Sequence, residues 1–488
     1  MILYVDEASN LDPWWQTTAL AIVVLGIAYA FTRRRSFQRK DGKQYPPYAP
    51  IGLLRTILSM SGPRAPSFML EMSRLLKCSV FRVRLPIPGT PMVVAVGEPI
   101  LTKLILTESR MKPASVYKPF ESVTKGPSIF TETDETTWKH ARKGVAPAFS
   151  SQHIRRMNTI CAAHTERWIQ ERLVPSIANN AVLDIATEMV DLTVTVICES
   201  AFEYNPSKEE MTMFLSELDL ALREFSFKQS ANPLRKFFNG VLPSARRAKV
   251  ASDRLQRFVF KVMDHYRSLK HHETEDTVIG RIMNNDKYKN DEARAADLLT
   301  FLVAGHDTTG YSLAWILLHL AQHPHEQKIL REKLQATPRE EWAQSAGLRS
   351  VVQEGMRLSP VAAMGSVRQL AEDIVSPTDP TIVLPKGAIV FLPQILACRN
   401  PDVFDSPDEF QPSRWDEPSE LQRAAIIPFS LGPRNCVGQR LAVAELHSVI
   451  ASVCAKYTFT VEDEGTSDYF LTYKPVGALL KATHVPNQ

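Results

Sequence analysis

The sequence predicts a mainly α-helical fold with a minor β-sheet region, and three observations carry that expectation. Beyond about residue 65 most long segments repeat apolar residues at spacings of three and four, the period that turns one helix face inward. Strand-like stretches are few and short: Val80–Leu85, Met92–Val96 and Ile389–Leu392. One helical run, from about Glu292 to His323, is apolar enough around Leu298–Leu318 to be buried along much of its length, as a helix crossing the centre of a large domain would be.

Composition agrees with one large globular body. Of the 488 residues 44% are hydrophobic and 23% charged, a balance that can bury a sizeable core, and no Gly/Ser linker or repeat divides the chain. The 57 Lys and Arg against 53 Asp and Glu leave a net charge of +4, spread along the sequence, which argues against a nucleic-acid partner. Six cysteines lie apart with no CxxC pair, the pattern of neither a disulfide framework nor a zinc site. Asn205 is followed by Pro206 and no Asn-x-Ser/Thr acceptor occurs, so a cytosolic body fits.

The N-terminus reads as a membrane anchor. Thr17 to Phe31 carry no charge, Trp14 and Trp15 stand where an aromatic belt lies, and Arg33, Arg34, Arg35, Arg39, Lys40 and Lys43 follow. A cleaved signal peptide would place its basic residues before the apolar run, where this chain has Asp6, Glu7 and Asp12. The expected organisation is a short lumenal segment at 1–15, a transmembrane helix at 16–32, a basic and proline-rich linker at 33–50 and a single body at 51–488. Tyr45-Pro46-Pro47-Tyr48-Ala49-Pro50 makes the linker's end a stiff, extended spacer.

Phe429-Ser-Leu-Gly-Pro-Arg-Asn-Cys436-Val-Gly438 sets one cysteine between a glycine-containing turn and an apolar-periodic helix, Gln439–Lys456. Backbone N–H groups at a helix N-terminus favour negative charge, so this is a place where a thiolate ligand is stabilised. A lone cysteine is otherwise a small buried hydrophobe. Glu354-Gly-Met-Arg357 puts an acid and a base on one helical face, and Trp138-Lys-His-Ala-Arg142 does the same for an indole and a guanidinium. Within the long helix, Ala304-Gly305-His306-Asp307-Thr308-Thr309 places a glycine and two threonines where they weaken a helix, which suggests function; a threonine bonded back to the carbonyl four residues earlier is the plain alternative.

With these residues in view the chain closely resembles the cytochrome P-450 superfamily, whose FxxGxRxCxG signature is matched at Phe429, Gly432, Arg434, Cys436 and Gly438. The resemblance covers nearly everything after Pro46 and is of the membrane-anchored microsomal type. It implies a haem b between the long central helix and the cysteine helix, with Cys436 as the iron's axial ligand and Phe429 packed near the sulfur. Thiolate pushes electron density onto the iron and favours O–O cleavage. It further implies that Trp138, Arg142, Arg368 and Arg434 meet the haem propionates. Glu354, Arg357 and Arg414, the last in a segment Phe410-Gln-Pro-Ser-Arg-Trp415, form a structural triad; Ser413 replaces a common glutamate there. Gly305 opens room over the iron, Thr308 donates to bound oxygen, and Asp307 passes protons. His306 occupies a variable position and is not expected to bind iron.

The function so implied is a monooxygenase that inserts one atom of O2 into a lipophilic substrate. Its electrons come from an NADPH-dependent cytochrome reductase, with a cytochrome b-type donor as a further source. Lys139 and Lys143 offer a docking patch for that acidic donor, or are solvated surface. The pocket is expected from Phe120, Phe130, Leu302, Val303, Val361, Ala362, Ala363 and Met364, each of which is as readily ordinary core. The expected location is the endoplasmic reticulum membrane, or another organelle membrane, with the body cytoplasmic. Competing readings are a haem-thiolate isomerase or dehydratase of hydroperoxides that needs no O2, and a non-enzymatic, membrane-tethered haem carrier or sensor.

Overall fold

The computed structural model describes residues 42–485, apart from stretches within 51–62, 84–90, 109–110, within 229–239 and 270–275. The expected anchor at 16–32 and the basic part of the linker therefore lie outside the described residues. Among those described, no helix is long and apolar enough to cross a membrane. The linker's proline-rich end is bound to the body. Ala49 N–H donates to Arg82 C=O at 2.9 Å, Arg82 N–H to Pro47 C=O at 2.7 Å, and the Arg82 guanidinium lies 3.7 Å from the centre of the Tyr48 ring.

Eight helices position the site: α1 (Glu135–Val145), α2 (Ser151–Trp168), α3 (Ile185–Phe202), α4 (Lys208–Leu222), α5 (Pro243–Ser268), α6 (Asp291–Gln322), α7 (Ala346–Leu358) and α8 (Gln439–Cys454). The minor β region includes a four-stranded sheet of β1 (Val80–Val83), β2 (Val93–Val96), β3 (Ser366–Gln369) and β4 (Ile389–Leu392), in the order β1-β2-β4-β3. Only the β2/β4 pair is parallel. Near the C-terminus β5 (Tyr457–Asp463) pairs with β8 (Leu479–His484), and β6 (Thr466–Tyr469) forms a hairpin with β7 (Tyr473–Val476).

The 32-residue α6 starts where Asn290 accepts the Ala293 N–H on its side chain, with Asp291 and Glu292 in the first turn favourable to the helix dipole. It then threads two cores. Leu298, Leu299, Leu302 and Val303 join α3, α4 and α5 in one; Leu313, Ile316, Leu317 and Leu320 join α2, α7, α8 and the β5/β8 pair in the other. Full burial of such a side chain contributes about 1.5–3 kcal/mol, so the helix is held from end to end by its neighbours.

The helix stays unbroken through Ala304–Thr309, and its glycines explain how. A Cβ at Gly305 would stand 2.7 Å from Ile197 Cγ1, and one at Gly310 would stand 2.8 Å from Thr193 Oγ1. Both glycines therefore serve the close approach of α3. The expectation that Gly305 opens room over a cofactor is corrected: its missing side chain is replaced by Ile197.

Candidate functional site

The turn before α8 folds back on itself, with the Cys436 N–H donating to Phe429 C=O at 2.8 Å. Gly432 takes φ 72°, and a Cβ there would stand 2.4 Å from the Leu106 carbonyl oxygen, so the turn requires glycine. Gly438 is the N-cap of α8; a Cβ on it would be 3.9 Å from the Cys436 sulfur. Burial pushes the Cys436 thiol up, against the N–H groups of Gly438 and Gln439 and the charge of Arg142, which pull it down. The expected donors at the helix N-terminus are thus present, and burial of the thiol opposes them. Cys436 nevertheless presents open surface, whereas Cys161, Cys198, Cys398 and Cys454 are buried.

On α6 a second open spot appears. Ala304 is exposed in a helix otherwise buried along most of its length, and Thr308, four residues on, shares its face. Thr308 Oγ1 donates to Ala304 C=O at 2.9 Å, the back-bonded arrangement named above as the plain alternative. Asp307 Oδ2 accepts the Thr472 hydroxyl at 2.6 Å, from the turn between β6 and β7. His306 is fully buried on the other side of the helix, its Nδ1–H on Leu302 C=O at 2.7 Å and its ring edge-on to Phe214 of α4.

A cluster of cations lies beside these two features. Arg368 of β3 is 1% exposed, and Arg434 stands 4.0 Å over the Trp138 ring. Lys112, which no motif flagged, joins them: burial and the charges of Arg368 and Arg434 hold its pKa well below the ordinary lysine value. Burial and Arg368 likewise bring Arg434 down to about 10. Arg142 is placed differently from expectation. Its two terminal nitrogens donate to the backbone and side-chain oxygens of Asn435 at 2.7 and 2.8 Å, so it clamps the cysteine turn.

Glu354, Arg357 and Arg414 come together as one buried ion cluster, with Trp415 Nε1 and the Gln411 N–H also donating to Glu354, both at 2.9 Å. Those two donors were not legible from the sequence. Lys139 pairs with Glu135 at 2.8 Å on the surface and Lys143 is exposed.

The sequence profile of Cytochrome P450 matches residues 66–482, most of the chain. The chain belongs to the cytochrome P450 family. Human cytochrome P450 4F12 is 39% identical over 184 residues, 36% of this chain and 34% of that protein. Rat cytochrome P450 4F6 is 27% identical over 360 residues, 67% of this chain and 66% of the relative. Mouse leukotriene-B4 omega-hydroxylase 3 is 27% identical over 361 residues, 67% of each. The matched stretches thus span about a third to two thirds of these relatives' length. The cytochrome P450DA heme domain superposes with a TM-score of 0.73 at 20% identity, covering 91% of this chain and 98% of that one, which establishes the fold.

This P450 carries a direct test of fit for the family's haem. Arg368 Nε and Arg434 Nε and Nη2 are buried without a hydrogen-bond partner. A buried N–H donor left unpaired costs about 1–3 kcal/mol, about twice what a made hydrogen bond contributes, and more when charged. Lys112, Arg368 and Arg434 form a positive cluster whose orphaned donors suit carboxylates such as haem propionates, in the same region as the exposed Cys436.

The expected pocket residues divide in this P450. Phe130 is 38% exposed and makes edge-on contacts with Phe120 and Tyr117, ring centres 5.3 and 5.4 Å apart. Leu302, Val303, Ala363 and Met364 are buried within hydrophobic clusters. Val361 and Ala362 are half-buried, and the Tyr473 N–H donates to Val361 C=O at 2.8 Å.

Proposed function

We propose that this cytochrome P450 is a monooxygenase that inserts one atom of O2 into a lipophilic substrate. The observation that carries the reading is the exposed Cys436, with the Gly438 and Gln439 N–H groups on its sulfur and partnerless guanidinium donors nearby. Cys436 would hold the iron of haem b, and Arg368, Arg434 and Lys112 would hold its propionates. When bound, a thiolate-ligated haem supplies the binding and cleavage of O2. Arg142 keeps the cysteine turn in place through Asn435, and Phe429 closes the turn through its carbonyl. Ala304 leaves space on the α6 face, Thr308 supplies a hydroxyl there, and Asp307 holds a proton-accepting carboxylate one residue away.

Electrons would come from NADPH through a cytochrome reductase, or from a cytochrome b-type donor, docking on the exposed side of α1 near Lys143. The segment 16–32 would anchor the enzyme in the endoplasmic reticulum membrane with residues 51–488 as the cytoplasmic catalytic domain, a location supported by its flanking charges and aromatic residues. Membrane access and the apolar Tyr117, Phe120 and Phe130 trio suit a fatty acid, sterol, terpenoid, carotenoid or lipophilic foreign compound. The relative named for ω-hydroxylation of leukotriene B4 favours the fatty-acid class.

The test is the carbon monoxide difference spectrum of the reduced protein, followed by NADPH and O2 consumption with reductase and a panel of such compounds. Hydroxylated product formed with NADPH and O2 uptake supports the proposal. Turnover of a hydroperoxide without reductase would assign the isomerase or dehydratase reading instead, and haem binding with no turnover of any compound the carrier or sensor.

A further inference from the structure

Asp297 lies on α6 two turns before the Ala304–Thr308 face and is 4% exposed. Its two oxygens hold two donors from outside the helix: Oδ1 accepts the Ile129 N–H at 2.6 Å and Oδ2 accepts the Tyr288 hydroxyl. Ile129 belongs to the loop 128–132, which is closed by the Thr131 and Glu132 N–H groups on Ser128 C=O and by the Ser128 N–H on Thr131 Oγ1. Two further carbonyls of that loop are held by cations. Lys112 Nζ donates to Phe130 C=O at 2.6 Å and Arg434 Nη1 donates to Glu132 C=O at 3.0 Å. One short loop is therefore fastened both to the central helix and to two of the three clustered cations.

A carboxylate is an expensive way to hold this loop. Burial pushes Asp297 up to about 6, the Tyr288 and Ile129 donors pull it down, and Glu132 adds to the rise; Arg294 on the same helix acts on Tyr288. Because the folded pKa exceeds the ordinary aspartate value, ionisation of Asp297 destabilises the fold as pH rises between the two, and global stability is not what the charge provides. An asparagine would offer the Ile129 N–H an acceptor without that penalty. What the charge adds is a stronger acceptor, and so a firmer loop.

We propose that Asp297 is a positioning residue of the cofactor pocket, its carboxylate fixing the 128–132 loop and, through the loop's carbonyls, the places of Lys112 and Arg434. The inference rests on reading that cation cluster as the propionate site. It implies that haem retention weakens on acidification through the range in which Asp297 takes up a proton.

The experiment uses the full-length, haem-loaded protein, its Asp297→Asn and Asp297→Ala variants, and Arg434→Ala. Two quantities are followed from pH 5 to pH 8: the hydrogen-exchange protection factor of the Ile129 amide, and the rate of haem loss to a haem-scavenging protein. In Asp297→Ala the Ile129 protection is expected to fall about tenfold, the scale of losing a charge-assisted hydrogen bond, and haem loss to quicken several-fold. In Asp297→Asn, which keeps an acceptor, the acid-side rise in haem loss seen in the wild type is expected to flatten. An Asn variant that keeps the wild-type inflection overturns the proposal, even if the Ala variant fails to fold. Haem loss unchanged in Asp297→Ala but faster in Arg434→Ala overturns it while leaving the haem site standing. Haem loss unchanged in both overturns the propionate-site reading and the proposal together.

Discussion

Glu354 receives Arg357 Nε and Nη2 at 2.8 Å across one turn of α7, with both side chains wholly buried, and takes Arg414 Nε at 2.9 Å from the segment that leads toward the cysteine turn. Removing the acid strands two guanidinium groups and the Trp415 N–H in the interior. Breaking a buried ion pair from one side costs about 3–5 kcal/mol. Glu354→Ala is therefore expected to lower stability by at least that much in denaturant melts, and to yield little folded protein. Arg357→Lys should fail similarly, because Arg357 also donates to the carbonyls of Cys398, Pro407 and Glu409, which a single ammonium cannot reach together.

Cys436 is the one described cysteine that is exposed. Cys436→Ser keeps the turn, since the 2.8 Å bond from its N–H to Phe429 C=O is a backbone bond. The variant is expected to fold with wild-type circular dichroism and to lose the thiolate signature in the carbon monoxide difference spectrum. A normal thiolate spectrum from that variant would sink the ligand assignment. Cys398→Ser and Cys454→Ser, at thiols that burial pushes up to about 12, should leave the spectrum unchanged.

How much of this was legible in the sequence depends on range along the chain. Periodicity and end signals locate α6 within a residue at each end, Glu292–His323 against Asp291–Gln322, because the cap at Asn290 and the apolar stripe are local facts. The cysteine turn and the ExxR pair are equally local. What the sequence does not disclose is which distant partner a side chain meets. Arg142 reaches Asn435 across 293 positions, Arg434 reaches the Glu132 carbonyl across 302, and Gly305 admits Ile197 of α3. Lys112 and Asp297 escaped notice because neither sits in a motif; for Asp297 an acid inside an apolar helix stretch was the available signal, whereas Lys112 lies in a mixed segment that gives none.

Asp307 and Thr308 are each held by a hydrogen bond that leads away from a proton-delivery role, to Thr472 and to Ala304 C=O. If they serve O2 activation, both must be free to turn. Thr308→Val removes the hydroxyl while preserving shape, and Asp307→Asn removes the proton-carrying charge. Each is expected to lower product formed per NADPH while O2 consumption continues, and Asp307→Asn to lower turnover about 10²-fold, the lower end of what a positioned acid contributes. Reaction stoichiometry is the measurement, and unchanged coupling in both variants would return Thr308 to a back-bonded structural residue.

Glu445 lies on α8 nine positions beyond Cys436, fully surrounded, with Oε1 buried and without a partner. Burial alone pushes its carboxyl up from 4.5 to about 8. Its sign is fixed by linkage: an acid whose folded pKa is raised is neutral in the native protein while the unfolded chain ionises, so each pH unit between 4.5 and about 8 removes stability, on the order of 1.4 kcal/mol. Below that window the group makes no difference, and above it the loss is complete. Glu445→Gln cannot ionise and keeps the shape. The variant should therefore melt with the wild type near pH 4.5 and above it by several degrees near pH 8, as read by thermal denaturation across that range. Parallel curves for the two proteins would mean that Glu445 gains a partner on α2 or elsewhere when it ionises, and that the buried acid is not neutral at physiological pH.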